Sequence, residues 1–266
     1  MNKISRSLKI KYYIYFFLKE FKDLIIFITD QIKFFFSKFS YKNYTKFLIQ
    51  NKIFYDKNTN KNLDTYTDYI LVTCYAITHP GYQITQMIIG KYLEKILKVQ
   101  AIGAQEKNTY FNNKLFKSYG YKKIIQFDKL NIIKRFCIFV KSLKILIEYN
   151  SIEEFINYET DKVKVGKIVY EHYIRFTGIP TINKIDFKLC YFLSKALEYH
   201  SYAKKIFSEK KIKYVVLSEK QFLPSGIIFQ NALIKKCKIF SRIGGPSSVG
   251  IRMYSDESEF YESRYK

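Results

Sequence analysis

The chain has 266 residues, 48% of them hydrophobic, and carries 46 Lys and Arg against 23 Asp and Glu, a formal net charge of +23. That much apolar material excludes a largely disordered chain and suffices for one large domain or two small ones. The positive surplus favours anionic partners, whether nucleic acid, phosphorylated ligand or acidic lipid, and its scatter as Lys among Ile, Phe, Tyr and Asn is also what a compositional bias would leave.

Residues 12–36 are rich in aromatic and aliphatic side chains, but charges at Lys19, Glu20, Lys22, Asp23, Asp30 and Lys33 keep every uncharged run short of the ~20 residues of a spanning helix. The same interruptions, with no small-residue cleavage site, argue against a signal peptide. Ile14, Phe17, Leu18, Phe21, Leu24, Ile25, Ile28, Ile32 and Phe35 recur at helical spacing and predict an amphipathic helix. Such a helix either packs on the rest of the protein or rests on an anionic membrane surface. Residues 40–67 predict a short helix and then a polar loop, KNTNKNLDTYTD, with a boundary near residue 60.

From there, apolar runs of strand length alternate with helical segments, the signature of βαβ units and a parallel sheet. The first predicted strand is Tyr69–Ala76, uncharged as expected of a strand covered on both faces, followed by a turn at His79-Pro80-Gly81 and a helix over 83–97. A strand over 99–104, a helix over 110–117, a stop at Gly120 and a strand over 122–127 come next. Residues 130–158 read as helical, as do 187–209, before a strand over 214–218, a helix over 227–236 and a strand over 238–241. The end, from Gly244, reads as a loop and a weakly structured tail. The expected organisation is thus an amphipathic helical segment (1–60), a Rossmann-like α/β domain with an open parallel sheet (61–245) and a tail (246–266).

Cys74, Cys137, Cys190 and Cys237 lie far apart without CxxC or Cys/His spacing, which fits a reducing, cytoplasmic setting and suggests neither a disulfide framework nor a metal site. His79, His172 and His200 show no metal spacing either. Ligands of open parallel sheets bind outside the carboxyl ends of the strands. After the first strand, His79 and Gly81 stand where the backbone can approach a ligand and a helix N-terminus can face an anion. After the later strand, Glu219 is placed for a sugar hydroxyl or as a general base, Ser225 can cap the next helix, and Gly226 follows it. In the segment 164–181, Glu171 and Arg175 are four apart and share a helix face. Each of these positions also has a purely structural reading. The Gly244–Gly250 stretch lacks the spacing of a phosphate loop.

The stretch GKIVYEHYIRFTGIPTI, followed by YVVLSEKQFLPSGIIFQNALIKKCKIF, resembles bacterial surface and capsular polysaccharide biosynthesis proteins of glycosyltransferase-like type, over about residues 68–243. Glu171 stands where an Asp is usual, and Lys220 and Phe222 occupy a turn that normally holds a His or Tyr. The resemblance implies the acceptor-binding half of a GT-B architecture. It also implies a nucleotide-sugar donor, a lipid-linked or saccharide acceptor, peripheral contact with the cytoplasmic face of a membrane, and catalysis only if a second Rossmann-like half is supplied. Glu171 and Glu219 are then the candidates for catalysis, and His79, Gly81, Arg175, Ser225 and Gly226 for substrate binding. A non-catalytic basic protein that holds an anionic membrane or a partner protein is the alternative. No helix-turn-helix, RRM or zinc-finger pattern points to specific nucleic-acid binding.

Overall fold

The computed structural model describes residues 6–36, 38–58, 66–74, 80–106, 110–127, 131–182, 185–243, 250–256 and 258–259. The chain divides into two compact units of non-contiguous segments. One comprises Met1–Asp30, Lys129–Ala203 and Gln221–Gln230; the other comprises Gln31–Asp128, Lys204–Lys220 and Asn231–Lys266.

The second unit holds the sheet. Its strands are β1 (Tyr69–Cys74), β2 (Gln100–Gln105), β3 (Lys123–Gln126), β4 (Ile212–Leu217), β5 (Lys238–Ile243) and β6 (Gly250–Tyr254), in the order β3-β2-β1-β4-β5-β6. Every neighbouring pair is parallel except β5 and β6. The expected Rossmann-like α/β fold is therefore present, with an antiparallel edge strand. That edge strand corrects the reading of a loop and weakly structured tail: Gly250–Tyr254 alternates half-buried and exposed residues up to the buried Tyr254, and pairs with β5 from Ile239↔Tyr254 to Ile243↔Gly250.

Two helices accompany β1 to β3 in this unit, α3 (Pro80–Leu97) and α4 (Tyr110–Ser118). Helix α3 starts three residues earlier than its apolar pattern, at Pro80, where a missing N–H costs nothing and the ring pre-sets the helical φ. One sheet face buries Ile70, Val72, Cys74, Ala101 and Val216 against Met87, Ile89 and Leu93 of α3 and Leu115 and Phe116 of α4. Helix α2 (Lys38–Asn58), longer than expected, adds the half-buried Tyr44, Phe47, Leu48 and Tyr55 to this core.

The first unit is helical. It contains α5 (Ile132–Glu148), α6 (Ile152–Ile156), α7 (Val165–Thr177) and residues 6–30 of α1 (Arg6–Phe36). Residues 187–203 of α8 (Phe187–Glu209) and 225–230 of α9 (Ser225–Ile234) also belong to it. The single helix expected over 130–158 is broken at Tyr149–Ser151. The Ser151 hydroxyl accepts the Glu154 N–H at 3.2 Å and so restarts the chain as α6, as short polar side chains do when they compete with the helix backbone. Gly166 is required where it stands, because a β-carbon there would collide with the Phe155 carbonyl. Phe16, Phe139 and Phe187 form an aromatic core, with Phe139 5.0 Å from Phe16 and 5.4 Å from Phe187 between ring centroids.

Helix α1 packs through Tyr12, Phe16 and Glu20. Ile14, Leu18, Phe21 and Ile25 lie on the opposite side and are exposed, with the exposed Ile10, Leu24 and Ile28 flanking them, while Phe17 stacks on Phe136 of α5 at 5.2 Å between ring centroids. No helix of the described residues is long and apolar enough to cross a membrane.

Candidate functional site

In this strand order the chain leaves β1 through α3 towards β2 on one side and leaves β4 through α9 towards β5 on the other. The topological switch point therefore lies between β1 and β4, and the crevice outside their carboxyl ends is where an open α/β sheet binds ligands. The polar residues gathered at this edge are Thr73 of β1, Gln83 and Gln86 of α3, Gln105 of β2 and Ser218 just past β4.

Thr73 Oγ1 donates to the Val216 carbonyl at 3.1 Å, joining β1 to β4. The Gln86 amide, oriented to satisfy its neighbours, donates to the Thr73 carbonyl at 2.5 Å. Its oxygen accepts from the Ser218 N–H at 2.5 Å and from the Ser218 hydroxyl at 2.9 Å, so one side chain clamps both strand ends. Gln105 Nε2 donates to Asn113 Oδ1 at 2.9 Å, while its Oε1 is buried without a partner. Gln83, in the first turns of α3, is fully buried, and neither its amide oxygen nor its nitrogen is hydrogen-bonded. A buried amide left unpaired costs about 1–3 kcal/mol, which a ligand able to donate and accept there would offset.

Two cations stand at the ends of neighbouring strands. Lys220, three residues past β4, hydrogen-bonds the Tyr254 hydroxyl and holds its ammonium 4.3 Å from that ring's centroid. The Arg242 guanidinium, near the end of β5, lies 4.4 Å over the Tyr82 ring at the start of α3. The edge thus places a buried, uncharged polar layer beside positive charge and the N-terminus of α3.

The predicted site residues divide between the two units. His79 lies outside the described residues. Gly81 falls inside the first turn of α3; a β-carbon there would meet nothing within 4 Å, so protein packing makes no demand for glycine. Glu219 is half-buried, and its Oε1 accepts the N–H of Lys220 at 2.8 Å. These last two belong to the sheet unit, whereas Glu171, Arg175, Ser225 and Gly226 belong to the helical one.

Within the helical unit, α7 and the turn at 221–226 meet through a residue to which the sequence assigned no role. His172 Nδ1 accepts the Leu223 N–H at 3.3 Å, with its ring 4.2 Å from that of Phe176 and 4.6 Å from that of Phe192. Burial lowers its pKa to about 4, so at neutral pH the ring is uncharged and its lone pair can take that bond. Gly226 is enclosed: its N–H donates to the Phe222 carbonyl at 2.8 Å, and a β-carbon would press on the Gln221 carbonyl oxygen at 2.9 Å. Its backbone serves the turn. Ser225 is buried as the first residue of α9, one position past the cap, which corrects the capping role expected of it. Arg175 is exposed near the end of α7 and Glu171 half-buried one turn earlier.

Gln83, Gln86 and Ser218 escaped the sequence reading because isolated amides and hydroxyls have no motif. The available signal was two glutamines three apart on the side of α3 that also carries Met87, directly after a strand. Among the described residues, no three of His, Cys, Asp and Glu gather as a metal cluster. No protein-family model, no curated protein and no solved structure matches the chain.

Proposed function

We propose that this chain is a glycosyltransferase-like protein of surface polysaccharide biosynthesis that takes a phosphate-bearing sugar, either a nucleotide sugar or a phosphate-linked acceptor, at the β1–β4 crevice. The observation that carries this reading is the fully buried, unpaired Gln83 amide beside the Gln86–Thr73–Ser218 clamp. Sugar hydroxyls both donate and accept, which suits an amide wall, and phosphate suits Lys220, Arg242 and the N-terminus of α3. In this reading the chain binds and orients the sugar, Glu219 and Glu171 are the carboxylates nominated for catalysis, and a second Rossmann-like half would complete the donor site.

Calorimetric titration with nucleotide sugars and with polyprenyl-phosphate sugars tests this. Saturable binding to one of the two is expected, and Gln83→Leu weakens it by about tenfold or more. The same substitution leaves the melting temperature unchanged or higher, because it removes an unpaired buried amide. A folded wild-type sample that binds neither ligand, or a Gln83→Leu variant that binds as well as the wild type, sinks the assignment.

A second reading, attachment to an anionic membrane at its cytoplasmic face, is favoured by α1. Its exposed apolar stripe runs over several turns, bordered by the exposed Lys11 and Lys22, the pattern of a helix lying in the headgroup boundary. In flotation with phosphatidylglycerol-containing vesicles, the wild-type chain should co-float. Replacing the exposed Leu18, Phe21 and Ile25 by Ser should abolish co-flotation without unfolding the protein, and undiminished flotation of that variant rejects the role of α1.

A further inference from the structure

A groove of about 280 Å³ lies between α2 and α4 in the sheet unit, away from the residues of the β1–β4 crevice. Contacts that join its walls include Asn51 Nδ2 donating to Ser118 Oγ at 3.0 Å and the Tyr55 and Tyr119 rings meeting at 4.9 Å between centroids. Lys52 from α2 and Lys114 and Lys117 from α4 line it, and no carboxylate is among its described lining residues. Three lysines around one concave surface concentrate positive potential there. The hydroxyls of Thr45 and Ser118 also line it.

The remaining wall is apolar, from Tyr44, Leu48 and Ile49. Ile49 is itself exposed and is followed one turn later by the exposed Ile53, so an apolar strip leads out of the groove along α2. A ligand that fits has a compact anionic head for the lysines and an apolar continuation for the strip. Ligand sites begin at about 300 Å³, so this groove has room for a headgroup and not for a whole lipid.

We infer that the α2–α4 groove binds the phosphate headgroup of an anionic lipid, with Lys52, Lys114 and Lys117 as its cationic ligands. This site is independent of the crevice and stands whether or not the chain transfers sugars. Lysine suits a phosphate as a point charge needing no planar fork, and phosphatidic acid, with its small doubly ionisable head, is the matching probe.

The test is calorimetry of the full chain with dihexanoyl phosphatidic acid below its micelle concentration, which isolates the groove from adsorption to a bilayer. Inorganic phosphate and dihexanoyl phosphatidylcholine are the comparison ligands. One-to-one saturable binding of the phosphatidic acid is expected, with both comparison ligands weaker by about tenfold or more. Lys52→Gln/Lys117→Gln and the triple variant adding Lys114→Gln should lose about tenfold or more in affinity at an unchanged melting temperature, since all three side chains are exposed. The inference fails if phosphatidic acid shows no saturable binding or if both variants bind like the wild type. Inorganic phosphate binding as tightly as phosphatidic acid overturns the lipid assignment.

Discussion

Arg135→Met is expected to destabilise the protein by about 3–5 kcal/mol, the cost of removing one partner from a buried ionic network. Arg135 Nη1 lies 2.5 Å from Glu20 Oε2, and its Nε lies 3.5 Å from Glu198 Oε1. Lys195 reaches the same two carboxylates at 3.6 and 3.4 Å, and the single Tyr191 hydroxyl proton is shared between Glu20 at 3.1 Å and Asp23 at 2.9 Å. Burial opposes the charge on Arg135, but Glu198 and Glu20 outweigh it and raise its pKa. With Arg135 gone, two buried carboxylates share one lysine. Met keeps most of the apolar stem, so the loss reports the charge rather than a cavity. Urea unfolding monitored by far-ultraviolet circular dichroism measures it; a loss below about 1 kcal/mol would place the network in the class of solvent-screened surface pairs.

Gly90→Val should have the second large effect, and it couples stability to the crevice. A β-carbon at Gly90 would overlap a Val72 methyl group on β1 and the Tyr121 hydroxyl, which itself donates to the Met87 carbonyl at 2.9 Å. Any side chain must lift α3 from the strand. Replacing a helical glycine gains up to about 1 kcal/mol of propensity, but overpacking a filled core costs about 1–3 kcal/mol or more, and two atoms overlap here at once. A net loss of about 2 kcal/mol is expected. Because α3 carries Gln83 and Gln86, the displacement also loosens the clamp on Thr73 and Ser218. Affinity for the proposed sugar ligand should therefore fall along with the melting temperature. A variant that melts like the wild type would show that α3 can shift on β1 without cost, and the account of its seating would be wrong.

Much of the fold was legible because local periodicity encodes it. Tyr69–Cys74 is uncharged and β-branched as a doubly covered strand must be, and α8 runs over the same residues, 187–209, that its pattern marks. The break at Ser151 was also written in the chain, but a capping serine inside an apolar pattern is easily read as one more helical residue. Strand β6 was hidden for a different reason: an edge strand with mixed polarity acquires its identity from the backbone of β5. The candidate site was less legible than the fold. Glu219 stands just past β4 and Gly81 in the first turn of α3, yet the polar side chains packed near these strand ends, Gln83, Gln86 and Ser218, have no sequence signature.

The alternation of strands and helices over β1 to β3, and so the α/β class, came from the sequence by itself, since hydrophobic period is a property of neighbouring residues. The tertiary structure alone decided that these elements divide into two units of interleaved segments, and which stripe of α1 is covered. It also decided that the Gln83 amide is buried without a partner while Gln86 bridges two strands. Burial and hydrogen bonding between residues far apart in the chain depend on where the backbone returns, and no local pattern of side chains carries that information.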